Sequence, residues 1–182
     1  MADIMRTDFT GEQRTLLIVG AGGLGQVVAE SAQMSGRYTN IAFLDDEPTE
    51  EKGRLFHIIG EVADAVRFVD KYTYAIPAFG DNKRRYELML TLKELGYRIP
   101  RIIHHTAFVS PTASIGEGTI IRPRAAISRN VVIGECCLIN MGALIDHKCI
   151  IGSCTHIPMG CVVRNEVNVP PMSSFAPNSV VE

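Results

Sequence analysis

The chain has no surplus of charge of either sign: 18 Lys and Arg stand against 20 Asp and Glu, a formal net charge of −2. Proteins that neutralise nucleic-acid phosphates or anionic membrane surfaces carry a basic excess, so no nucleic acid and no membrane partner is expected. No run of 18 apolar residues occurs, and the opening stretch MADIMRTDFTGEQR lacks an apolar signal core. A cytoplasmic location is the expectation that follows. There is no C-x-x-C pair, and the cysteines (Cys136, Cys137, Cys149, Cys154 and Cys161) are odd in number. Both facts argue against a disulfide framework, and no metal site is expected. The remaining composition is ordinary: 46% hydrophobic and 21% charged over 182 residues, enough for one large domain or two small ones.

The second half carries a strict repeat. Counting in sixes from Val109 reaches Ile115, Ile121, Ile127, Ile133, Ile139, Ile145, Ile151, Ile157, Val163, Val169, Phe175 and Val181, without a slip. Two positions earlier in each hexad stands a mostly small residue, among them Ala113, Thr119, Ala125, Cys137, Ala143, Cys149 and Cys161, with Val131 and Val167 as larger exceptions. In an extended segment residues i and i−2 share a face, so each hexad presents one branched and one small side chain inward. Three hexads close a coil of 18 residues, and stacked coils put aliphatic on aliphatic and small on small. Gly116, Gly134, Asn140, Asp146 and Gly152 follow the aliphatic position, and Gly or Asn there suits a turn with positive φ. Three cysteines fall in the small column, which marks them as packing residues. The fold class is therefore an all-β coil over 104–182, preceded by an α/β domain over 15–103 and an extension over 1–14.

The α/β part reads as strand Thr15–Val19, helix from about Gln26 to Met34, strand Ile41–Leu44, strand Tyr74–Phe79 and helix Asn82–Leu95. This is a small Rossmann-like βαβαβ pattern. Gly20, Gly22 and Gly25 match G-x-G-x-x-G between the first strand and helix, with Gly23 between them and Asp45 twenty residues beyond Gly25. Amides at a helix N-terminus hold phosphate, and an acid at that distance binds a ribose hydroxyl. Fewer than 90 residues are about half of a dinucleotide fold, so a mononucleotide half-site fits better than a dinucleotide one. Asp45 and Asp46 read either as ribose or base contacts or as the end of a strand. Lys83, Arg84 and Arg85 read as a solvated helix face or as pyrophosphate ligands. His57, His104 and His105 read as surface residues.

The segments GAGGLGQVVAE, FLDDEP, the glycine of GEV, FGDNKRRYE and INMGALIDHKCIIGSCTHIPMG together resemble the sugar O-acyltransferase family. That family comprises the bacterial sialic-acid O-acetyltransferases and nucleotide-amino-sugar N-acetyltransferases with hexapeptide repeats. The resemblance implies a left-handed parallel β-helix, a homotrimer, and transfer of an acyl group from acetyl-CoA to the amine or hydroxyl of an amino sugar or sialic acid. It implies that His147 is the general base, with Asp146 orienting its ring. His156 and Gly160 would lie on the acetyl-CoA side. Gly20, Gly22, Gly23, Gly25, Asp45, Asp46, Gly80, Asn82 and Asn140 would lie on the substrate side. Leu24 stands where the family has histidine, and Lys148 follows His147 where an acid is usual. A second reading of the same fold is a nucleotide-sugar-binding or scaffold protein; a third is a dinucleotide-dependent oxidoreductase. His147 and His156 are nine residues apart, half of an 18-residue coil. They therefore lie on opposite sides of one prism, and a site that uses both is shared between chains.

Overall fold

Residues 14–47 and 56–182 are described in a computed structural model of the chain. The 1–14 extension lies outside the described residues apart from Arg14, as does Pro48 of FLDDEP. The chain opens with β1 (Thr15–Val19), α1 (Gly23–Met34) and β2 (Asn40–Leu44), followed by a 3₁₀ helix (Val62–Phe68), β3 (Tyr74–Pro77) and α2 (Asn82–Glu94). The three strands form a parallel sheet in the order β2-β1-β3. Every residue of β1 is buried, as a central parallel strand covered on both faces requires. Helix α1 begins at Gly23, three residues ahead of the expected start, because glycines can enter the first turn without steric cost.

Beyond α2 the chain winds through two-residue rungs, one per hexad, in three parallel sheets. The first face stacks Ile102–Ile103, Ile120–Ile121, Leu138–Ile139 and His156–Ile157. The second stacks the rungs beginning at Phe108, Ala126, Leu144, Val162 and Val180. The third stacks those beginning at Ser114, Val132, Ile150 and Asn168. The second residue of each rung points inward, and the interior cluster contains the aliphatic and small columns together. The fold is a left-handed parallel β-helix behind a Rossmann-like domain. It begins earlier than the repeat count suggests: Ile103 pairs with Ile121 and packs on the interior, so the first rung precedes residue 104.

The turn chemistry differs from the expectation. Positive φ falls not directly after the aliphatic residue but three positions beyond it, at Gly118, Arg124, Asn130, Cys136, Gly142, Lys148, Cys154, Gly160, Glu166, Met172 and Asn178. The glycines at 116, 134 and 152 serve a different purpose. A Cβ on Gly116 would lie 2.4 Å from the backbone of Gly134, and one on Gly134 would lie 2.6 Å from Ser153 N. Successive coils meet too closely at that corner for any side chain.

The outward residues of the first face are buried: Ile102, Ile120 and Leu138 are all at most 3% exposed. They pack with Leu16, Ile18, Val28 and Ala29 of the Rossmann-like domain. One prism face is thereby fixed against the sheet and α1. The other two faces keep exposed apolar residues, including Phe108, Leu144 and Val180 on the second and Val132 and Ile150 on the third.

Candidate active site

His147 lies in the corner after the second-face rung Leu144–Ile145. Its Nδ1 sits 2.9 Å from Asp146 Oδ1, which also accepts the His147 backbone N–H at 2.7 Å. These bonds hold the Asp146 carboxyl below its usual range, so it is ionised at neutral pH. An ionised partner on Nδ1 selects the tautomer with the proton there and leaves Nε2 as an acceptor. The imidazole is about 40% exposed by its side chain, so that acceptor is open to a ligand. Lys148 does not weaken the arrangement, because its ammonium pairs with Glu166 at 2.7 Å on the next coil. An apolar groove of about 400 Å³ on the second face, lined by Phe108, Ala126, Leu144 and Val162, runs up to Asp146.

His156 is the outward residue of a first-face rung, and lies across the prism from the corner of His147. It sits under the domain junction. Asn140 Oδ1 accepts from Arg122 Nη1 at 2.8 Å and from Met141 N at 2.7 Å. The Asn140 amide nitrogen must then face His156 Nε2, 3.3 Å away, as a donor. Burial, reinforced by Arg85 and Arg122, holds His156 below the ordinary histidine value. The ring is neutral, with its proton on Nδ1 as the Asn140 contact requires. Gly160 has φ +65°, like the other residues at this turn position, and the space beside its Cα is taken by the Asn178 side chain.

At the Rossmann-like end, Gly25 packs so closely on Gly20 that a Cβ would lie 1.9 Å from the Gly20 carbonyl oxygen. Gly22 and Gly23 face open space, and the helix begins without a side-chain cap. That is the arrangement of an anion-binding helix start. Asp45 is drawn into the same loop: Oδ2 accepts the Ala21 N–H at 2.5 Å and Oδ1 accepts Glu47 N–H. Asp46 Oδ1 accepts Val62 N–H at 2.9 Å. Both acids thus order backbone around the loop. Gly80 borders open space, whereas Asn82 is committed to the junction: its amide donates to the Met172 and Ser173 carbonyls and accepts from Arg85.

Arg85 departs most from the sequence reading. It is neither a solvated helix residue nor a phosphate ligand but fully buried, donating to the carbonyls of Cys136, Phe79 and Gly80. Sequence gave no sign of this, since α2 reads as charged on the relevant face. Arg84 instead lies over the Phe79 ring at 3.8 Å. The cysteines are all buried and unpaired, and burial pushes Cys137 up to about 11 and Cys154 to about 12, so these thiols are inert. Among the described residues no group of three or more His, Cys, Asp or Glu is placed to hold a metal. No helix among them is long and apolar enough to cross a membrane.

A parallel β-helix with a docked α/β domain is the architecture that this chain shares with solved acetyltransferases. Residues 15–92 match the PglD N-terminal domain. The acetyltransferase domain of PglB from Neisseria gonorrhoeae FA1090, solved with acetyl coenzyme A, superposes with a TM-score of 0.79 at 28% identity, covering 93% of this chain and 85% of that one. PerB from Caulobacter crescentus, solved with CoA and GDP-perosamine, gives 0.81 at 26% identity, covering 92% and 88%. WeeI from Acinetobacter baumannii AYE, at 16% identity and a TM-score of 0.70 over 92% and 88%, shares the fold. Residues 15–92 thus match a family model, and the chain as a whole is similar to acetyltransferases solved with acetyl-CoA or CoA.

Proposed function

We propose that the chain transfers the acetyl group of acetyl-CoA to the amine of a nucleotide-linked amino sugar, as a homotrimer, with His147 as general base. The observation that carries this is the 2.9 Å contact between His147 Nδ1 and an ionised Asp146, which leaves Nε2 open to accept a proton. The amine nitrogen attacks the thioester carbonyl carbon while Nε2 takes its proton. Collapse of the tetrahedral adduct breaks the C–S bond, and the imidazolium returns the proton to the leaving thiolate. His156 Nδ1–H supplies a neutral donor suited to the thioester oxygen. The open amides of Gly22 and Gly23 suit the pyrophosphate of a nucleotide-sugar, with Gly20 and Gly25 shaping the loop.

The geometry supports a site shared between chains: one corner holds His147, and the face across the prism holds His156. The exposed apolar rungs of the second and third faces suit burial between neighbouring chains, and the groove beside Asp146 would lie at that boundary. PglB and PerB, solved with acetyl-CoA or CoA, support the donor. The test is CoA release with UDP- and GDP-linked amino sugars, alongside acetyl-CoA binding by calorimetry. Turnover on one of them with saturable binding is expected; saturable nucleotide-sugar binding without any acetyl-CoA binding would instead indicate a binding or scaffold protein.

A further inference from the structure

The junction beside His156 holds two guanidinium groups and, among the described residues, neither forms an ion pair with a carboxylate. Arg85 spends its N–H groups on three carbonyls and Asn82. Among the described residues the Arg122 side chain makes one hydrogen bond, from Nη1 to Asn140 Oδ1, and its buried Nε has no partner. Other cations at the β-helix are either paired or open to solvent: Lys148 pairs with Glu166, Arg164 with Glu182 and Lys93 of α2 with Glu117 and Glu135, while Arg124 and Arg129 are exposed. A guanidinium stays charged in a protein, and a half-buried one without a counter-charge is unfavourable until something completes it. With Nη1 occupied by Asn140, the edge left over is Nε with Nη2, the edge that takes a carboxylate side-on through two parallel N–H donors.

The position of Arg122 indicates the source of that carboxylate. Its rung, Ile120–Ile121, contributes Ile120 to the cluster that holds Ala21 and Leu24 of the glycine loop. Its hydrogen bond reaches Asn140, the partner of His156. Arg122 therefore stands beside the pair suited to the thioester, next to the rung that packs against the Rossmann-like domain, and on the proposed reading the sugar lies on this side of the thioester. On the proposed reading a pyrophosphate has its own place at the start of α1, where Gly22 and Gly23 border open space.

We infer that Arg122 is a specificity-determining residue that binds a carboxylate on the acceptor, so the substrate class is a nucleotide-linked amino sugar acid. The inference rests on the proposed function for the location of the sugar. Because Nε is closed off in this structure, the carboxylate reaches it with a rotation of the long Arg122 side chain.

The test uses the full chain and three sets of ligands: UDP- and GDP-linked amino hexuronic acids, the matching amino hexoses with C6 as hydroxymethyl, and UDP and GDP alone. Binding is measured by calorimetry and turnover by CoA release, for the native chain, Arg122→Gln and Arg122→Lys. A charge-assisted pair of this kind is worth about 10- to 100-fold in affinity. The native chain should prefer the acid over the hexose by about that factor. Arg122→Gln should collapse the preference, and Arg122→Lys should restore part of it. A native chain with no preference for the acid overturns the inference, as does an Arg122→Gln variant whose preference is unchanged. Equal losses on all three sets would assign Arg122 to the pyrophosphate or to positioning Asn140, and would also overturn it. Calorimetry separates this result from acetyl transfer: a preference for the acid without turnover would sink the proposed reaction and leave the carboxylate site standing.

Discussion

Asn140 and His156 face one another on consecutive coils, with the amide nitrogen of Asn140 3.3 Å from His156 Nε2. The direction of that bond is not a free choice. Arg122 and Met141 both donate to Asn140 Oδ1, so the nitrogen is left for the imidazole, and the imidazole is left with its proton on Nδ1. One asparagine thereby sets the tautomer of a histidine that it reaches only because the repeat stacks residues 18 apart. Asn140→Asp should convert the donor to an acceptor, reverse the preferred tautomer and lower kcat/KM by about 10-fold or more, with fold and acetyl-CoA binding retained. Turnover equal to native would show that the tautomer is irrelevant.

The same environment makes a pH prediction. His156 lies below its ordinary value of 6.5 because it is buried and sits near Arg85 and Arg122. The unfolded chain therefore binds this proton more readily than the folded one, and stability drops as pH falls from about 6.5 toward the folded value. His156→Gln should flatten that part of the profile. The check is thermal unfolding at pH 7.5 and pH 5.5. An identical pH dependence in the two proteins would contradict the burial account.

His147→Ala should lower kcat/KM by about 10²- to 10⁴-fold, the usual worth of a positioned base. Acetyl-CoA affinity should change little, since the ring is placed to act on the acceptor proton. Asp146→Asn should fall between native and His147→Ala, because the base remains but its tautomer is no longer imposed. Steady-state kinetics on the three proteins gives the order.

Two glycine replacements separate the two demands of the coil. In Gly134→Ala the new methyl would meet the backbone of Ser153 at 2.6 Å, and destabilisation of about 1–3 kcal/mol is expected from forced separation of coils. Gly142 has φ +69° but open space around it, so Gly142→Ala should cost only about 1 kcal/mol. Arg124 and Lys148 already show that this turn position tolerates a side chain. Denaturant unfolding of both variants tests the order.

Much of this was legible in the residues. The hexad pattern names its own interior, and Thr15–Val19 emerges as a strand with the observed ends, since long apolar or strictly periodic signals are local. His147 with Asp146 entered through the family resemblance, and the contact between them spans one residue. Arg85 was not. Its environment comes from docking α2 against the Cys136 corner, a contact 51 residues away that no local pattern encodes. Asp45 was read as a ligand contact or a strand end and Asn82 as a ligand contact, and the structure shows both side chains bonded to the chain itself. Residue type announces hydrogen-bonding capacity, and only the tertiary arrangement decides whether a ligand or the protein uses it. The glycine column at 116, 134 and 152 failed for a similar reason: its cause lies in the neighbouring coil, not in the turn that contains it.

The central claim is a site built from His147 of one chain and His156 of its neighbour. Two variants, His147→Ala and His156→Ala, should each be nearly inactive alone. Mixed, dissociated and reassembled into trimers, they should regain activity, because some interfaces then pair an intact His147 with an intact His156. Acetyl transfer recovered to a substantial fraction of the native rate is the expected result. Mixed trimers, verified by differential tagging, that remain as inactive as either parent would contradict the shared site.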